Sequence, residues 1–348
     1  MSMIRTIALT AAASGALALA GCGSQEAGTR DQVRAVGSST VYPFAKAVAE
    51  SLAKADPSIK SPIIESTGTG AGMKLFCAGV GAQFPDIANA SRRMKKSEFA
   101  DCQKSGVKDI VEIQVGLDGV AFAEAQNGPG FALSPEDVYK ALAKTPYGKP
   151  QTAKTWKDVN PSLPAEPILV YGPPSTSGTR DALKELILTK GCDENAEMKA
   201  LKDGDKDRHD KVCGDVRDDG AYVDAGENDN LIVQKIEANP KAIGIFGFSY
   251  LEENEGRIKG LTMKGVTPTY ATISDFSYPG ARPLYIYVKK AHLKAIPGLA
   301  GFVTEWSKLW SKDGVLAKLG MVVAPDDVLA ASAKAVNDLP VLDGAELK

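Results

Sequence analysis

Four short segments of this sequence concentrate hydroxyl, glycine and arginine residues that could bind an oxyanion. They span residues 37–40, 67–72, 86–92 and 176–180, and we call them turns one to four. Hydroxyl and backbone N–H groups donate hydrogen bonds, and a guanidinium adds forked, charge-assisted ones. Glycine lets the backbone approach a ligand closely because it has no side chain. These residue types predict binding of a ligand rich in negatively charged oxygen atoms.

Each turn lies close to the start of a predicted helix. Turn one runs into Pro43 and an apolar repeat at Phe44, Val48 and Leu52, and turn four precedes a helical pattern near Leu183. The free N–H groups of a helix N-terminus form a ready anion site. Structural roles without ligand binding stay open as alternatives. Ser or Thr could cap a helix, turn two could be a tight strand-to-helix turn, and turn three could be the solvated, basic start of a helix.

Short apolar runs of strand character alternate with these helical patterns along the chain. The predicted strands are 61–64, 110–115, 168–171, 243–248 and 284–288. This alternation predicts an α/β fold, and the length of the chain allows two domains of ordinary size.

The first residues predict export from the cytoplasm. Arg5 precedes an uncharged, Ala-rich stretch that is too short to span a membrane and is typical of a secretory signal peptide over residues 1–21. Leu19–Cys22 resembles a bacterial lipobox, which predicts lipidation of Cys22 and a polar tether over 22–31. An ordinary cleavage site with an incidental cysteine is the alternative.

An even number of cysteines remains when Cys22 is set aside, namely Cys77, Cys102, Cys192 and Cys213. An oxidising compartment lets such residues pair. Three connectivities are possible in principle. The sequence spacing favours two local loops, closed by Cys77 with Cys102 and by Cys192 with Cys213. Buried free thiols are the alternative.

Neither a metal site nor a nucleic-acid interface is expected. The sequence has no CxxC pair and only two histidines, His209 and His292. Acidic residues at 203–207 hint at calcium, but an EF-hand loop would need Gly and Glu where Arg208 and Gly214 stand. The formal net charge of −2 gives no overall attraction for nucleic acid or other anions. Any bound anion must therefore be held by a local arrangement.

Taken together, turns one to four resemble the phosphate-binding turns of the solute-binding proteins of phosphate ABC transporters. Their order and spacing agree with that family, and segments 116–119 and 243–251 also resemble it. The resemblance therefore extends over nearly the whole chain after the signal peptide. It implies a two-lobed α/β fold of the periplasmic-binding-protein type II, with a hinge cleft between the lobes.

The resemblance also implies the domain boundaries, the ligand and the protein partners of the chain. Lobe one would comprise 32–117 and 276–348, and lobe two would comprise 118–275, with the acidic segment 192–230 as a surface excursion. A monomer would bind inorganic phosphate and deliver it to the membrane permease and ATPase of an ABC importer. It would be a periplasmic or cell-surface lipoprotein without enzymatic activity, cofactor or nucleic-acid partner.

The implied ligand residues follow from the positions of the four turns. In chain order they are Ser38, Ser39, Thr40, Thr69, Gly70, Ser91, Arg92, Ser177, Gly178, Thr179 and Arg180. Ser91 stands where well-known members have a carboxylate that accepts a hydrogen bond from protonated phosphate. An arginine expected before turn four is also absent, and Arg180 resembles the pattern of another branch. Asp86 and Asp118 are candidate acceptors by their proximity in sequence.

Three other functions stay open on sequence alone. A secreted phosphatase or serine hydrolase could use such turns on a phosphoester, although no Gly-x-Ser-x-Gly elbow is present. The second is binding of another oxyanion such as sulfate or molybdate. The third is adhesion or a surface-scaffold role for a tethered protein.

Overall fold

The computed structural model describes residues 30–175, 177–226 and 229–347. The predicted signal peptide, the predicted lipidation site Cys22 and most of the predicted tether lie outside these residues, as does Thr176 of turn four. Within the described part of the chain, no helix is both long enough and apolar enough to cross a membrane.

Strands occur at all five stretches where the sequence predicts them, so the α/β class is confirmed. In chain order the strands are β1 (Arg34–Gly37), β2 (Ile63–Ser66), β3 (Ile87–Ala90), β4 (Ile110–Ala125), β5 (Ala132–Leu133), β6 (Val170–Gly172), β7 (Tyr222–Asp224), β8 (Ile243–Gly247), β9 (Ile258–Gly260), β10 (Thr262–Met263) and β11 (Ala281–Lys289). Nine of them form one mixed sheet, while β5 and β10 pair separately.

Helices pack around this sheet. They are α1 (Tyr42–Ala55), α2 (Thr69–Phe76), α3 (Lys96–Lys104), α4 (Pro135–Leu142), α5 (Trp156–Val159), α6 (Gly178–Ala182), α7 (Thr189–Cys192), α8 (Ala196–Gly204), α9 (Lys206–Gly214), α10 (Asp229–Ala238), α11 (Phe248–Glu253), α12 (Tyr270–Ser274), α13 (Leu299–Leu309), α14 (Val315–Lys318) and α15 (Asp326–Asp338). A π-helical stretch, Leu183–Leu188, joins α6 to α7. In α1 the predicted repeat of Phe44, Val48 and Leu52 is buried against the core, as expected for one apolar helix face.

The mixed sheet has the strand order β2-β1-β3-β11-β4-β8-β6-β7, with β9 added beside β4. β1 is parallel to β2 and β3, and β6 is parallel to β7 and β8. β11 runs antiparallel to both β3 and β4. Residues 110–119 of β4 pair with β11, and residues 120–125 pair with β8 and β9. One long strand therefore serves both halves of the sheet.

The two halves of the sheet have separate hydrophobic cores. One core draws on residues 117–278 together with Val322 and Ala324, and two others draw on residues 33–115 and 284–347. The protein is therefore two-lobed, with β2, β1, β3 and β11 in lobe one and β8, β6 and β7 in lobe two. The division at 117/118 and 275/276 stays a prediction, which the extent of these cores supports.

The structure contains both disulfides that the sequence spacing favours. Cys77 at the end of α2 is bonded to Cys102 in α3, and Cys192 in α7 is bonded to Cys213 in α9. The predicted excursion 192–230 contains α8 and α9, but it also supplies β7, which pairs with β6 at the edge of the sheet. Only the first part of this segment therefore stands outside the sheet.

We expect replacement of both Cys192 and Cys213 by serine to lower the free energy of unfolding by about 3 kcal/mol. The bond closes a loop with a sequence separation of 21 residues, and releasing such a loop increases the freedom of the unfolded chain. Chemical denaturation of the oxidised wild type and of the variant measures the difference. The variant without Cys77 and Cys102, whose separation is 25 residues, should lose a similar amount. Unchanged stability in both variants would contradict this expectation.

Candidate anion-binding site

Turns one, two and three lie side by side because they belong to three neighbouring strands of lobe one. Turn one follows β1, turn two follows β2, and turn three contains β3; the strands are parallel and adjacent in the order β2-β1-β3. The carboxyl ends of parallel strands lie at the same edge of a sheet, where ligands of open α/β sheets bind. The N–H groups of Thr67 and Gly68 donate to the carbonyl oxygen of Gly37 at 2.9 and 2.8 Å. The N–H group of Ser38 donates to the carbonyl oxygen of Asn89 at 2.9 Å.

Glycine is required at the centre of this contact. Gly37 has a φ of +134°, and a Cβ atom there would lie 2.2 Å from the carbonyl oxygen of Asn89. A Cβ atom on Gly72 would lie 2.4 Å from the Cα atom of Gly37. The three backbone segments can therefore approach one another only without side chains at these positions.

Turn four comes from lobe two and reaches turn one directly. It follows β6, and a Cβ atom on Gly178 would lie 2.4 Å from the Cα atom of Thr40. The Thr40 hydroxyl donates a hydrogen bond to the carbonyl oxygen of Gly178 at 3.1 Å. The Ser39 hydroxyl donates to the carboxylate of Asp181. The backbone of lobe two thus lies in van der Waals contact with the backbone of lobe one.

A cavity of about 390 Å³ opens at this meeting point. The polar groups that line it from the two turns are those of Ser39, Thr40, Ser177, Gly178 and Thr179. Five of the eleven predicted ligand residues therefore face one space, and they come from both lobes. The lining combines hydroxyl and backbone donors, which is the chemistry that an oxyanion requires.

One hydroxyl that lines the cavity also caps a helix, as the sequence left open. Ser177 precedes α6, and its hydroxyl oxygen accepts a hydrogen bond from the N–H group of Thr179 at 3.2 Å. The Ser38 hydroxyl oxygen accepts one from the N–H group of Val41, the residue before α1, at 3.4 Å, and no side chain caps that helix. The hydroxyl proton of a capping serine can still be donated to another group. Capping and ligand binding are therefore compatible here.

The hydroxyls of turns two and three contact each other instead of lining this cavity. Thr69 and Ser91 are buried, their hydroxyl oxygens lie 3.0 Å apart, and the N–H group of Ser91 donates to the Thr69 hydroxyl at 3.2 Å. Gly70 is exposed in the first turn of α2. The predicted hydroxyl ligands therefore form two groups, one at turns one and four and one at turns two and three.

Both predicted arginine ligands are engaged elsewhere in this structure. Arg92 forms a two-fold ion pair with Glu98, at 2.9 and 2.6 Å. Arg180 lies over the ring of Tyr222 at 4.3 Å from its centroid and donates to the carbonyl oxygen of Pro173 at 3.3 Å. Burial raises the pKa of Tyr222 to about 12, so the ring stays neutral. Neither guanidinium lines the cavity.

A third arginine, missed at the sequence level, is buried beside the cavity. Arg282 in β11 is 3% exposed. Its Nε donates to Oδ2 of Asp118 at 3.0 Å, its Nη1 to Oε2 of Glu185 at 2.8 Å, and its Nη2 to the Thr40 hydroxyl at 2.6 Å. Arg282 stands opposite Asp118 because β11 pairs with β4 in that register. The only signal in the sequence is a charged residue at the start of an apolar strand.

The two candidate acceptors from the sequence have different positions. Asp118 lines the cavity. Asp86 is fully buried at the opposite end of β3, where it accepts hydrogen bonds from the N–H group of Arg34 at 2.7 Å and pairs with Arg30 and with Nδ1 of His292. Asp86 therefore anchors the start of lobe one and cannot reach the cavity.

One cluster of metal-ligand atoms exists among the described residues, away from the cavity. Atoms of Asp193, His209 and Cys213 lie within 4.8 Å of one another. The Cys213 sulfur is bonded to Cys192, and Nε2 of His209 is paired with Asp193 at 2.7 Å. These groups are satisfied by each other, and the cluster supports no metal assignment.

Comparisons with known proteins agree with this geometry. Residues 23–307 match the model of the PBP superfamily domain. Protein SphX of Synechococcus elongatus is 35% identical over 279 residues, which cover 76% of this chain and 72% of that protein. The phosphate-binding protein PstS of Staphylococcus saprophyticus is 32% identical over 306 residues, covering 84% of this chain and 82% of that protein.

Solved structures lead to the same family. The crystal structure of a possible phosphate-binding protein from Planctomyces limnophilus is 29% identical with a TM-score of 0.70, covering 88% of this chain and 98% of that chain. An ABC-type phosphate transport receptor from Vibrio cholerae shares the fold, with 20% identity, a TM-score of 0.58 and coverage of 84% and 99%. The chain therefore belongs to the PBP superfamily and, within it, to the substrate-binding proteins of phosphate ABC transporters.

Proposed function

We propose that this protein binds inorganic phosphate outside the cytoplasmic membrane and delivers it to an ABC permease for import. The observation that carries the proposal is the cavity lined by hydroxyl and backbone groups of turns one and four, one from each lobe. The names of its relatives, which include phosphate-binding proteins, support phosphate as the ligand. The site lies between the two lobes, so binding of a ligand there also affects how the lobes are arranged.

The chemistry of the cavity suits a small, strongly hydrated anion. Phosphate loses its water shell on entering the site, and a buried charge without replacement partners is very costly. Ser177 and Thr179 provide hydroxyl donors, and the backbone N–H groups around Gly178 add further ones. Ser39 and Thr40 would donate to phosphate in place of their present acceptors, the Asp181 carboxylate and the Gly178 carbonyl oxygen. Hydrogen bonds to a charged group contribute about 1.5–3 kcal/mol each. Several such donors together replace the lost water.

Delivery follows from the position of the site between the lobes. A ligand that contacts both Ser39 and Ser177 holds turn one against turn four, and therefore lobe one against lobe two. Such hinge closure around a ligand is a common switching movement. The chain passes between the lobes in β4 and in the segment that leads into β11, and closure would occur about these two connections. The permease would recognise the closed form of the protein, in which the site is occupied.

The remaining features of the proposal concern ligand contacts and location. The rest of the proposed ligand set does not line the cavity in this structure and comprises Ser38, Thr69, Gly70, Ser91, Arg92 and Arg180. Lipidation of Cys22, a tether over 22–31 and a monomeric state are also part of the proposal. They fit a family whose members work outside the cytoplasmic membrane.

Binding without turnover is the activity that the family supports. The relatives are solute-binding proteins, not phosphatases or hydrolases. The cavity places Ser39 next to an aspartate, Asp181, and no histidine lines it. The phosphatase alternative is therefore not favoured.

We expect Ser39→Ala to weaken phosphate binding by about 10- to 100-fold, because one hydrogen bond to a charged ligand is lost. Calorimetric titration of the mature protein with phosphate measures the affinity. Ser162→Ala, which removes an exposed hydroxyl far from the cavity in sequence, is the matched control and should bind like the wild type. A wild type that binds sulfate more tightly than phosphate would contradict the proposed function.

Gly178→Ala is expected to weaken phosphate binding by about 5- to 150-fold. The new methyl group would lie 2.4 Å from the Cα atom of Thr40, and overpacking of this kind costs about 1–3 kcal/mol. The change affects only the closed arrangement of the lobes, so thermal stability without phosphate should change little.

Gly204→Ala, a site with no atom within 4 Å of the added methyl, is the control for this substitution. Titration and thermal melting of the two variants with and without phosphate give the comparison. Equal phosphate affinity in Gly178→Ala and wild type would show that the lobes do not close at this contact.

A further inference from the structure

A cluster of groups that can bind zinc lies in lobe two, away from the proposed phosphate cavity. Cys192 and Asp193 are adjacent at the end of α7, and His209 and Cys213 both belong to α9. Residues four apart in a helix lie on the same face, so α9 presents an imidazole and a sulfur on one side. Two sulfurs, an imidazole and a carboxylate thus come together, and these are the groups that bind Zn²⁺ in proteins.

The four potential ligand atoms are close to one another. An oxygen of Asp193, a ring nitrogen of His209 and the sulfur of Cys213 lie within 4.8 Å of one another, and the Cys192 sulfur is bonded to that of Cys213. Cys192, His209 and Cys213 are buried. Ligand atoms around a tetrahedral Zn²⁺ lie about 3.3–3.8 Å apart, so shifts of about 1 Å would bring these atoms to that spacing.

The ring of His209 stands between two carboxylates. Its Nε2 lies 2.7 Å from Oδ1 of Asp193, and its Nδ1 lies 3.4 Å from Oδ1 of Asp210. A neutral imidazole has one N–H group and can donate to only one of them. With the proton on Nδ1, Asp210 accepts it and the lone pair of Nε2 faces Asp193. A cation between these two facing acceptors stabilises that arrangement, and a metal-bound histidine usually has such a carboxylate behind its other nitrogen.

The disulfide decides whether this cluster can bind a metal. Zinc binds the thiolate form of cysteine, and the oxidised cluster offers none, so no metal is assigned to it. A dithiol reduces the bond by thiol–disulfide exchange. The two sulfurs of the dithiol then form a disulfide, and Cys192 and Cys213 become thiols. Zn²⁺ displaces the two thiol protons to solvent and binds both thiolates.

Charge and access around the cluster suit a bound cation. Two thiolates and one carboxylate outweigh the charge of Zn²⁺ by one, and the ammonium group of Lys202 lies 3.3 Å from Oδ2 of Asp193 to offset the excess. The side chain of Asp193 is 21% exposed. Every residue of α8, which connects the two ligand pairs, is at least partly exposed. A metal ion can therefore enter from the side of Asp193.

We propose that reduction of the Cys192–Cys213 disulfide turns this cluster into a tetrahedral zinc site. Its ligands are Sγ of Cys192, an oxygen of Asp193, Nε2 of His209 and Sγ of Cys213. The disulfide and the zinc ion close the same loop, so zinc keeps segment 192–213 folded when the cysteines are thiols. The inference does not depend on phosphate binding, because none of these four residues lines the cavity as the structure describes it.

Cobalt and zinc binding to the reduced protein test the proposal. The mature chain with Cys22→Ser, Cys77→Ser and Cys102→Ser keeps only the proposed pair of thiols after reduction with a phosphine, which is then removed under anaerobic conditions. We expect this protein to bind one Co²⁺ ion with the visible and charge-transfer absorption of tetrahedral thiolate ligation, and Zn²⁺ to displace it. The same protein with its disulfide intact should bind both metals about 100-fold or more weakly.

The matched control removes the proposed pair and keeps the other one. The chain with Cys22→Ser, Cys192→Ser and Cys213→Ser also lacks one disulfide, and after reduction it should show no thiolate-to-cobalt absorption. Equal cobalt uptake by the two reduced proteins would overturn the proposal. A reduced Cys77→Ser, Cys102→Ser protein that takes up no metal would overturn it as well.

Two substitutions in α9 test the role of the imidazole. His209→Gln removes a ligand, and Asp210→Ala removes the carboxylate behind Nδ1; both should weaken zinc binding by about 10- to 100-fold. Asp207→Ala, at an exposed position of the same helix, is the control and should bind zinc like its parent. Competition with a chromophoric zinc chelator measures these affinities.

Asp210 is partly exposed, so its variant keeps the test available if the change at the buried His209 prevents folding. Equal zinc affinity in Asp210→Ala and Asp207→Ala would contradict the proposed site.

Discussion

The backbone contact between Gly178 and Thr40 is the constraint on which the rest of the site depends. It places turn four of lobe two against turn one of lobe one, and only glycine at position 178 allows the approach. The cavity exists because these turns meet beside hydroxyl groups. Parallel strands in each lobe bring the turns to the same cleft, and β4 runs through both halves of the sheet. The close approach of Gly178 to Thr40 thus determines both how the lobes meet and which polar groups line the cavity.

Charge in the site is arranged locally, since the whole chain carries a formal net charge of only −2. Arg282 is the one buried guanidinium at the cavity in the described structure, and Asp118, Glu185 and Thr40 surround it. Positive charge is therefore partly neutralised before any ligand enters. An anion would therefore be held chiefly by oriented hydrogen-bond donors.

Sequence reasoning found the features that depend on neighbouring residues in the chain. The four turns, the main strands and the two disulfide loops are local patterns, and the structure contains them. It did not find Arg282, because the pairing of Arg282 with Asp118 depends on the register of β11 against β4. It also assigned Arg180 to the ligand; that assignment stays a prediction, and in this structure the guanidinium packs on Tyr222. Strand register and side-chain stacking join residues that are distant in sequence, and no local pattern specifies them.

A crystal structure of the mature protein with phosphate tests the central claim most directly. The account predicts phosphate density in the cavity between turns one and four, in hydrogen-bond contact with Ser39 of lobe one and Ser177 of lobe two. Phosphate bound on another surface, for example only beside Arg92 or Arg180, would contradict the account.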